Sequence, residues 1–244
     1  NCEIRDDGTY NKKSGKKISA CLPMHTYGFM CRIDEIIKIC NKWKIPVVED
    51  AAEAVGSFYK GKSAGCFGNV SALSFNGNKI ITTGGGGMIL TNDNVLGARA
   101  KFLTTTAREP HPWSYKHSEI GYNFRMPNIN AAMGCAQLEN LNKFISIKSK
   151  LYLEYKKHFS KRGIELVEIP KNTKWNYWLF SIKMENKIDR DLFLKESHEN
   201  GILTRPIWTL MHKLPMYSNC QYDDQTNSMF LEDRVINLIS SVKF

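Results

Sequence analysis

An alternation of strand-like and helix-like segments in the first fifty residues is the feature that most constrains the fold. Residues 17–23 and 45–48 are short apolar runs typical of buried strands. Between them, apolar side chains recur with the spacing of an amphipathic helix, at Ile33, Ile36, Ile37 and Cys40. A strand, a helix and a strand in this order require a crossover connection, so we predict an α/β fold with a mainly parallel sheet covered by helices.

Two of the predicted strands end in side chains that carry chemistry. The strand that ends at Val48 runs directly into Glu49 and Asp50, and the strand over residues 70–75 runs into a turn that ends in Lys79. Binding sites in parallel sheets form at the carboxyl ends of the strands. We therefore expect an acid and a lysine at the same edge of the sheet.

Each of these side chains has a chemical and a structural interpretation. Lys79 is either an exposed loop lysine or an amine that is partly removed from water and attacks carbonyl carbons. Asp50 either caps the segment that follows it or holds the ring nitrogen of a cofactor. A pyridoxal phosphate enzyme needs both, a lysine for the Schiff base and a carboxylate at the pyridine nitrogen. Ser74 is a candidate phosphate contact or a structural hydroxyl at a strand end.

Other motifs exclude several kinds of site. Residues 84–87 are four glycines, but their spacing fits neither a nucleotide-triphosphate loop nor a dinucleotide-binding turn. The histidines lack metal-ligand spacing, so we expect no metal. The seven cysteines are odd in number and widely spaced, which argues against a disulfide framework and a zinc site. His25, Arg205 and His212 are polar residues in apolar or aromatic settings, which alone assigns them no role.

Composition narrows the class of protein. With 244 residues, 42% of them hydrophobic, the chain is too apolar to be disordered. Its formal net charge of +10 favours an acidic partner such as a phosphate. Its lysines are scattered and are not set among aromatic residues that could stack on bases, so the sequence does not predict nucleic-acid binding. No apolar run approaches the ~18 residues of a membrane span, and no signal peptide is visible. We therefore predict a soluble, cytoplasmic protein without a membrane partner.

The second half of the chain predicts a smaller domain. Residues 108–128 form a long loop rich in aromatic residues and proline, and residues 129–161 are mostly helical. A strand over 175–184, a helix over 189–200 and a strand over 202–207 follow. We predict part of a large domain over residues 1–140 and a C-terminal α+β domain over residues 141–244.

Four ordered motifs resemble the DegT/StrS-type sugar-nucleotide aminotransferases, also called the DegT/DnrJ/EryC/StrS family. They lie at residues 47–57, 65–68, 74–79 and 121–127. Similarity to the branch that aminates C4 of a nucleotide-linked 4-keto-6-deoxy sugar for legionaminic acid synthesis is carried by residues 103–113, 176–178 and 204–212. The resemblance begins in the middle of the family's large domain. The preceding segment of the family supplies a glycine–threonine turn at the cofactor phosphate and an aromatic ring stacked on the pyridine, and neither is visible before Lys17. We therefore expect the chain to be a fragment, or the ordered part, of a longer protein.

The resemblance implies a fold-type I pyridoxal phosphate enzyme that works as a homodimer with shared active sites. Lys79 would be the catalytic Schiff-base lysine, and Asp50 would partner the pyridine nitrogen. Ser74 would hold the cofactor phosphate, and Asn123 would reach the phosphate of the other subunit's cofactor. Glu53 occupies a position that lies beside the ring in the family.

The implied reaction is transfer of an amino group from L-glutamate to C4 of a UDP- or GDP-linked 4-keto-6-deoxy sugar, for a legionaminic-acid-type or related amino sugar. The residues that would face the sugar nucleotide are His25, Arg205, Trp208 and His212. One alternative is a sugar dehydratase on the same scaffold, but that branch carries histidine at the position of Lys79. The other alternative is a cofactor-free regulatory or sugar-nucleotide-binding protein.

Overall fold

The computed structural model describes residues 1–242 and divides the chain into two compact units. Unit 1 comprises Asn1–Phe144 and Pro170–Asn176, and unit 2 comprises Ile145–Ile169 and the chain from Tyr177 onward. The predicted domain boundary between residues 140 and 141 stays a prediction, and the last two residues of the predicted small domain, 243 and 244, lie outside the described residues.

Short strands and longer helices alternate along the chain. The helices are α1 (Ile33–Lys42), α2 (Asn94–Thr104), α3 (Asn128–Glu139), α4 (Leu141–Ser160), α5 (Lys187–Glu199) and α6 (Thr226–Glu232). The strands are β1 (Cys2–Arg5), β2 (Gly8–Asn11), β3 (Val48–Asp50), β4 (Phe58–Tyr59), β5 (Lys62–Ser63), β6 (Val70–Ser74), β7 (Gly87–Leu90), β8 (Glu165–Leu166), β9 (Thr173–Lys174), β10 (Phe180–Lys183), β11 (Arg205–Pro206) and β12 (Val235–Leu238). Within the described residues, three short 3-10 helices lie at Thr26–Gly28, Met211–Lys213 and Pro215–Tyr217.

The sheet that positions the candidate site has the strand order β3, β6, β7. The β3 and β6 strands are parallel, and β7 is antiparallel to β6. Beside β3, the chain from Cys21 to His25 also runs parallel, with bridges that join Cys21 to Val47 and Met24 to Asp50. Two of the three pairings are therefore parallel. The ladder contacts lie at residues 21–25, so the strand predicted over 17–23 is displaced toward its C-terminal end.

A hydrophobic core under α1 fixes this sheet in unit 1. Ile33 and Cys40 of α1 are buried against Val47, Ala51 and Ala54. The structure confirms the predicted helix. Its apolar residues recur every three to four positions, and its first turn holds two acids, which the helix dipole favours.

Unit 2 is built on a four-stranded antiparallel sheet with the order β11, β12, β10, β8. The interior strand β12 has all four of its residues buried in this core. Within residues 1–242, no helix is both long enough and apolar enough to cross a bilayer.

The secondary structure differs from the sequence pattern at three places. The helix predicted over 129–161 is interrupted at Asn140, whose side-chain amide donates to the Ala136 carbonyl and ends α3. The strands predicted over 175–184 and 202–207 shorten to β10 and β11. Trp175 and Asn176 leave the strand because their side chains bond to loops of unit 1 instead.

Candidate active site

The carboxyl ends of two adjacent parallel strands bring the candidate residues to one edge of the sheet. Asp50 is the last residue of β3 and Ser74 the last residue of β6. After β6 the chain turns tightly, with the Asn76 N–H donating to Ser74 Oγ at 3.3 Å and the Lys79 N–H donating to the Asn76 carbonyl at 3.0 Å. This turn returns Lys79 to the strand ends, as the sequence predicts.

Lys79 meets a second acid, Glu53, at this edge. Lys79 Nζ lies 3.7 Å from Glu53 Oε1, and the two side chains are only 14% and 9% exposed. Burial raises the pKa of Glu53, and the charge of Asp50 raises it further, whereas the Tyr27 N–H and Lys79 lower it. Asp50 and Lys79 are therefore both within electrostatic reach of the same buried carboxyl group.

A strained turn holds the other oxygen of Glu53. Tyr27 has φ of 58°, in the left-handed region that residues other than glycine rarely adopt, and its N–H donates to Glu53 Oε2 at 2.6 Å. Gly28 follows with φ of +82°, and a Cβ atom there would lie 2.1 Å from Asn176 Oδ1. The turn therefore requires glycine at position 28.

His25 forms a buried pair with Glu49, the neighbour of Asp50 on β3. Both side chains are fully buried, and His25 Nε2 lies 3.1 Å from Glu49 Oε1. Burial lowers the pKa of His25, but contacts with Cys31 and Glu49 outweigh it and raise the pKa to about 9. Burial also opposes ionisation of Glu49, but hydrogen bonds from His25 and from backbone N–H groups keep its pKa below the usual value. The predicted contact of His25 with the sugar nucleotide stays a prediction. In the structure the two ring nitrogens of His25 face protein groups, Nε2 the Glu49 carboxylate and Nδ1 Cys31.

The remaining candidates lie on exposed segments. Asn123 is exposed, in a loop that pairs with Thr105. In unit 2, Arg205 is exposed on β11, and Trp208 is 54% exposed with its ring stacked on that of the buried Trp178. His212 packs against Tyr222. Lys79 belongs to unit 1, whereas Arg205, Trp208 and His212 belong to unit 2. That these residues contact the same ligand as Lys79 therefore stays a prediction.

Sequence reasoning missed the residues that fix the Tyr27 turn. Trp175 Nε1 donates to the Tyr27 carbonyl at 2.7 Å, and Asn176 Nδ2 donates to the Glu53 carbonyl at 2.7 Å. Asn176 falls in a stretch that carries the resemblance, but alternation there indicates only a strand. The signal available in the sequence was an asparagine within a run of aromatic residues; the structure buries it fully, and buried amides need hydrogen-bond partners.

The side chains at this edge fit pyridoxal phosphate. Lys79 offers a largely buried amine for the aldehyde carbon, Asp50 a carboxylate for the ring nitrogen, and Ser74 a hydroxyl for the phosphate. These are the donor and acceptor types that such a cofactor requires.

Comparisons with known proteins identify the family of the chain. The model of the DegT/DnrJ/EryC1/StrS aminotransferase family matches residues 11–244. The chain is 39% identical over 232 residues to GDP-perosamine synthase of Escherichia coli O157:H7, and the aligned region covers 94% of this chain and 62% of that relative. It is 38% identical over 207 residues to EpsN of Bacillus subtilis, whose name describes a pyridoxal phosphate-dependent aminotransferase, over 84% of this chain and 53% of the relative. The chain thus spans 53% to 62% of the length of these relatives.

A solved structure shows the same fold. The aminotransferase TlmJ from Streptoalloteichus hindustanus matches with a TM-score of 0.86 at 24% identity, over 93% of this chain and 62% of that one. Together with the match to the family model, this likeness confirms the predicted fold class.

Proposed function

Because the chain belongs to the DegT/DnrJ/EryC1/StrS aminotransferase family, we propose that its site transfers an amino group from L-glutamate to C4 of a nucleotide-linked 4-keto-6-deoxy sugar. Pyridoxal phosphate is the cofactor of this family and, when bound, supplies an aldehyde carbon and a ring that accepts electrons. The observation that carries the proposal is the largely buried Lys79, 3.7 Å from Glu53 at the edge where β3 and β6 end.

Each residue at this edge has a distinct task. The Lys79 amine takes a proton from Cα of glutamate and later delivers a proton to C4 of the sugar. The Asp50 carboxylate holds a proton on the ring nitrogen through a charge-assisted hydrogen bond. Ser74 donates to the phosphate, and in a homodimer Asn123 reaches the phosphate bound by the other subunit.

The substrate is the sugar nucleotide, and residues of unit 2 supply matching chemistry. The exposed guanidinium of Arg205 suits a diphosphate, which arginine binds with two parallel hydrogen bonds. The half-exposed ring of Trp208 offers a stacking surface for a base, and His212 lies in the same stretch of chain. The 39% identical relative that is named for a GDP-linked product supports testing a GDP sugar first.

Three finer assignments are also proposals. The amino sugar is of the legionaminic acid type or related to it, as the stretches over residues 103–113, 176–178 and 204–212 suggest. The donor is L-glutamate. The reaction takes place in the cytoplasm, in keeping with seven cysteines that all carry free thiols in the described chain.

The test uses the full-length protein purified with pyridoxal phosphate. Borohydride reduction and peptide mass mapping should place the pyridoxyl group on Lys79, and Lys79→Ala should abolish amination of a GDP- or UDP-4-keto-6-deoxy sugar. Lys195→Ala, which removes a lysine that is 70% exposed, is the matched control and should keep full activity. Label on a different lysine would refute the site. A protein that binds the sugar nucleotide but no cofactor would instead support the regulatory alternative.

A further inference from the structure

Each carboxylate oxygen of Glu53 contacts a different group. Its Oε2 accepts the Tyr27 N–H at 2.6 Å, and its Oε1 faces Lys79 Nζ at 3.7 Å. The first contact fixes the direction of the carboxyl group. The second places the carboxyl group beside the amine that must move protons.

The Tyr27 contact depends on a backbone conformation that needs external support. A residue other than glycine in the left-handed region costs on the order of 1 kcal/mol or more, so surrounding contacts must maintain it. Trp175 supplies one, because its Nε1–H donates to the Tyr27 carbonyl at 2.7 Å and its ring stacks on Phe29 at 4.5 Å.

Asn176 fixes the backbone that carries Glu53. Its Nδ2 donates to the carbonyls of Glu53 and Val55, at 2.7 Å and 3.0 Å. Its N–H donates to Ser57 Oγ at 3.0 Å, and the Ser57 hydroxyl donates to the Gly28 carbonyl at 2.7 Å. Asn176 and Ser57 are fully buried, so this pair of residues joins the two turns that flank Glu53.

We propose that Glu53 is a positioning residue that holds the Lys79 side chain in place when Lys79 is not bonded to the cofactor and pairs with its ammonium form once Lys79 carries a proton, and that Trp175 and Asn176 keep Glu53 in place. The role in turnover rests on the proposed function. When the amino donor occupies the cofactor, the displaced lysine must stay close to the reacting carbons. A largely buried opposite charge 3.7 Å away does this more strongly than solvent would.

Lysine reactivity in the cofactor-free, full-length protein tests the first half of the proposal. Trace labelling with acetic anhydride, read by peptide mass mapping, compares Lys79 with the exposed Lys195 as internal standard. In Glu53→Gln, which still accepts the Tyr27 N–H, Lys79 should label about tenfold faster near neutral pH, because the ammonium form has lost its counter-charge. In strong base, where the amine is uncharged in both proteins, the two rates should be equal. Asp50, the other acid near Glu53, is intact in both.

Two outcomes would overturn the pairing. One is an unchanged labelling rate in Glu53→Gln. The other is a rate that rises equally at every pH, since that indicates mere exposure of Lys79. Failure of the proposed function is read separately, as absence of cofactor binding by the wild-type protein, and it leaves the labelling result intact.

A double-mutant comparison tests the second half. Asn176→Ala should raise Lys79 labelling about threefold, and the double variant with Glu53→Gln should label no faster than Glu53→Gln alone, because Asn176 acts through Glu53. Trp175→Phe keeps the stacking ring, removes the indole donor and should act in the same direction, which covers the case in which Asn176→Ala fails to fold. Independent, additive effects would show that these residues do not act through Glu53.

Discussion

Adjacent acids on β3 serve opposite sides of the strand. Glu49 and Asp50 are neighbours, and successive side chains of a strand point to opposite faces. Glu49 binds His25 and accepts the N–H groups of Phe67 and Gly68, at 2.9 Å and 3.0 Å, so it ties together the fold behind the strand. Asp50 is left for the strand edge, where ligand chemistry is possible.

Replacing Asp50 tests this division of roles. Asp50→Asn keeps the shape and the contact with the Ala52 N–H but removes the charge that would hold a proton on the ring nitrogen. We expect kcat to fall by about 10³-fold or more, the order of magnitude seen when an essential electrostatic partner is removed. Steady-state amination by the full-length protein measures it. Near-normal turnover would mean that a different acid holds this proton.

The buried His25–Glu49 pair predicts a pH-dependent stability. Because the pKa of His25 rises from 6.5 to about 9 on folding, its contribution is complete below pH 6.5 and is lost as the pH rises through about 9. The loss should be about 3 kcal/mol of unfolding free energy. Glu49, whose pKa is lowered, contributes above its ordinary pKa and loses that contribution in acid.

Urea unfolding of the wild type and of His25→Gln measures the effect at pH 6, about half a unit below that window, and at pH 10, about one unit above it. The wild type should lose more stability between the two pH values than the variant does. Equal losses in both proteins would mean that His25 is neutral in the folded state.

At the scale of elements, the sequence predicted the helices and strands whose formation depends on local periodicity. The helix α1, the strand end at Asp50 and the turn that carries Lys79 follow from the local sequence pattern alone. The turn at Tyr27 does not, because its conformation depends on Trp175 and Asn176, nearly 150 residues away in sequence. Contacts between distant segments leave no periodic trace in a single sequence.

Helix α2 has a local anchor that can be tested on its own. Asp93 caps its first turn, with Oδ1 accepting the N–H groups of Val95 at 2.8 Å and Leu96 at 3.1 Å. Asp93→Ala should lower the unfolding free energy by about 1 kcal/mol, whereas Asp93→Asn should change it by only a few tenths, because asparagine caps equally well. Urea denaturation of both variants checks this. Equal stability of the alanine and asparagine variants would show that the cap contributes little.

At the scale of the whole molecule, the loop around Asn123 is a candidate surface for a partner. Large side chains along it are mostly exposed, including Trp113 at 79%, Ile120 at 83% and Phe124 at 71%. Contiguous exposed apolar surface marks interaction sites. This supports the proposed homodimer, in which Asn123 serves the other subunit's site.

Mixed dimers test the shared site. Lys79→Ala and Asn123→Asp should each be inactive as homodimers. If one site uses Lys79 of one subunit and Asn123 of its partner, a heterodimer of the two variants collects both lesions in one site and leaves the other intact. Activity should return to about half of the wild-type value in purified heterodimers. Heterodimers without activity would indicate that each subunit builds its own site.

The short segment Pro170–Asn176 has a consequence for how such a protein can be divided or recombined. It belongs to unit 1, although the chain on both sides of it belongs to unit 2. No single cut in the polypeptide therefore separates the two units, and any gene fragment that encodes unit 2 without interruption also carries the tryptophan and asparagine that unit 1 needs. Exchange of unit 2 between relatives, in evolution or by design, must therefore preserve the match between this segment and the turn at Tyr27, or the recipient site loses its support.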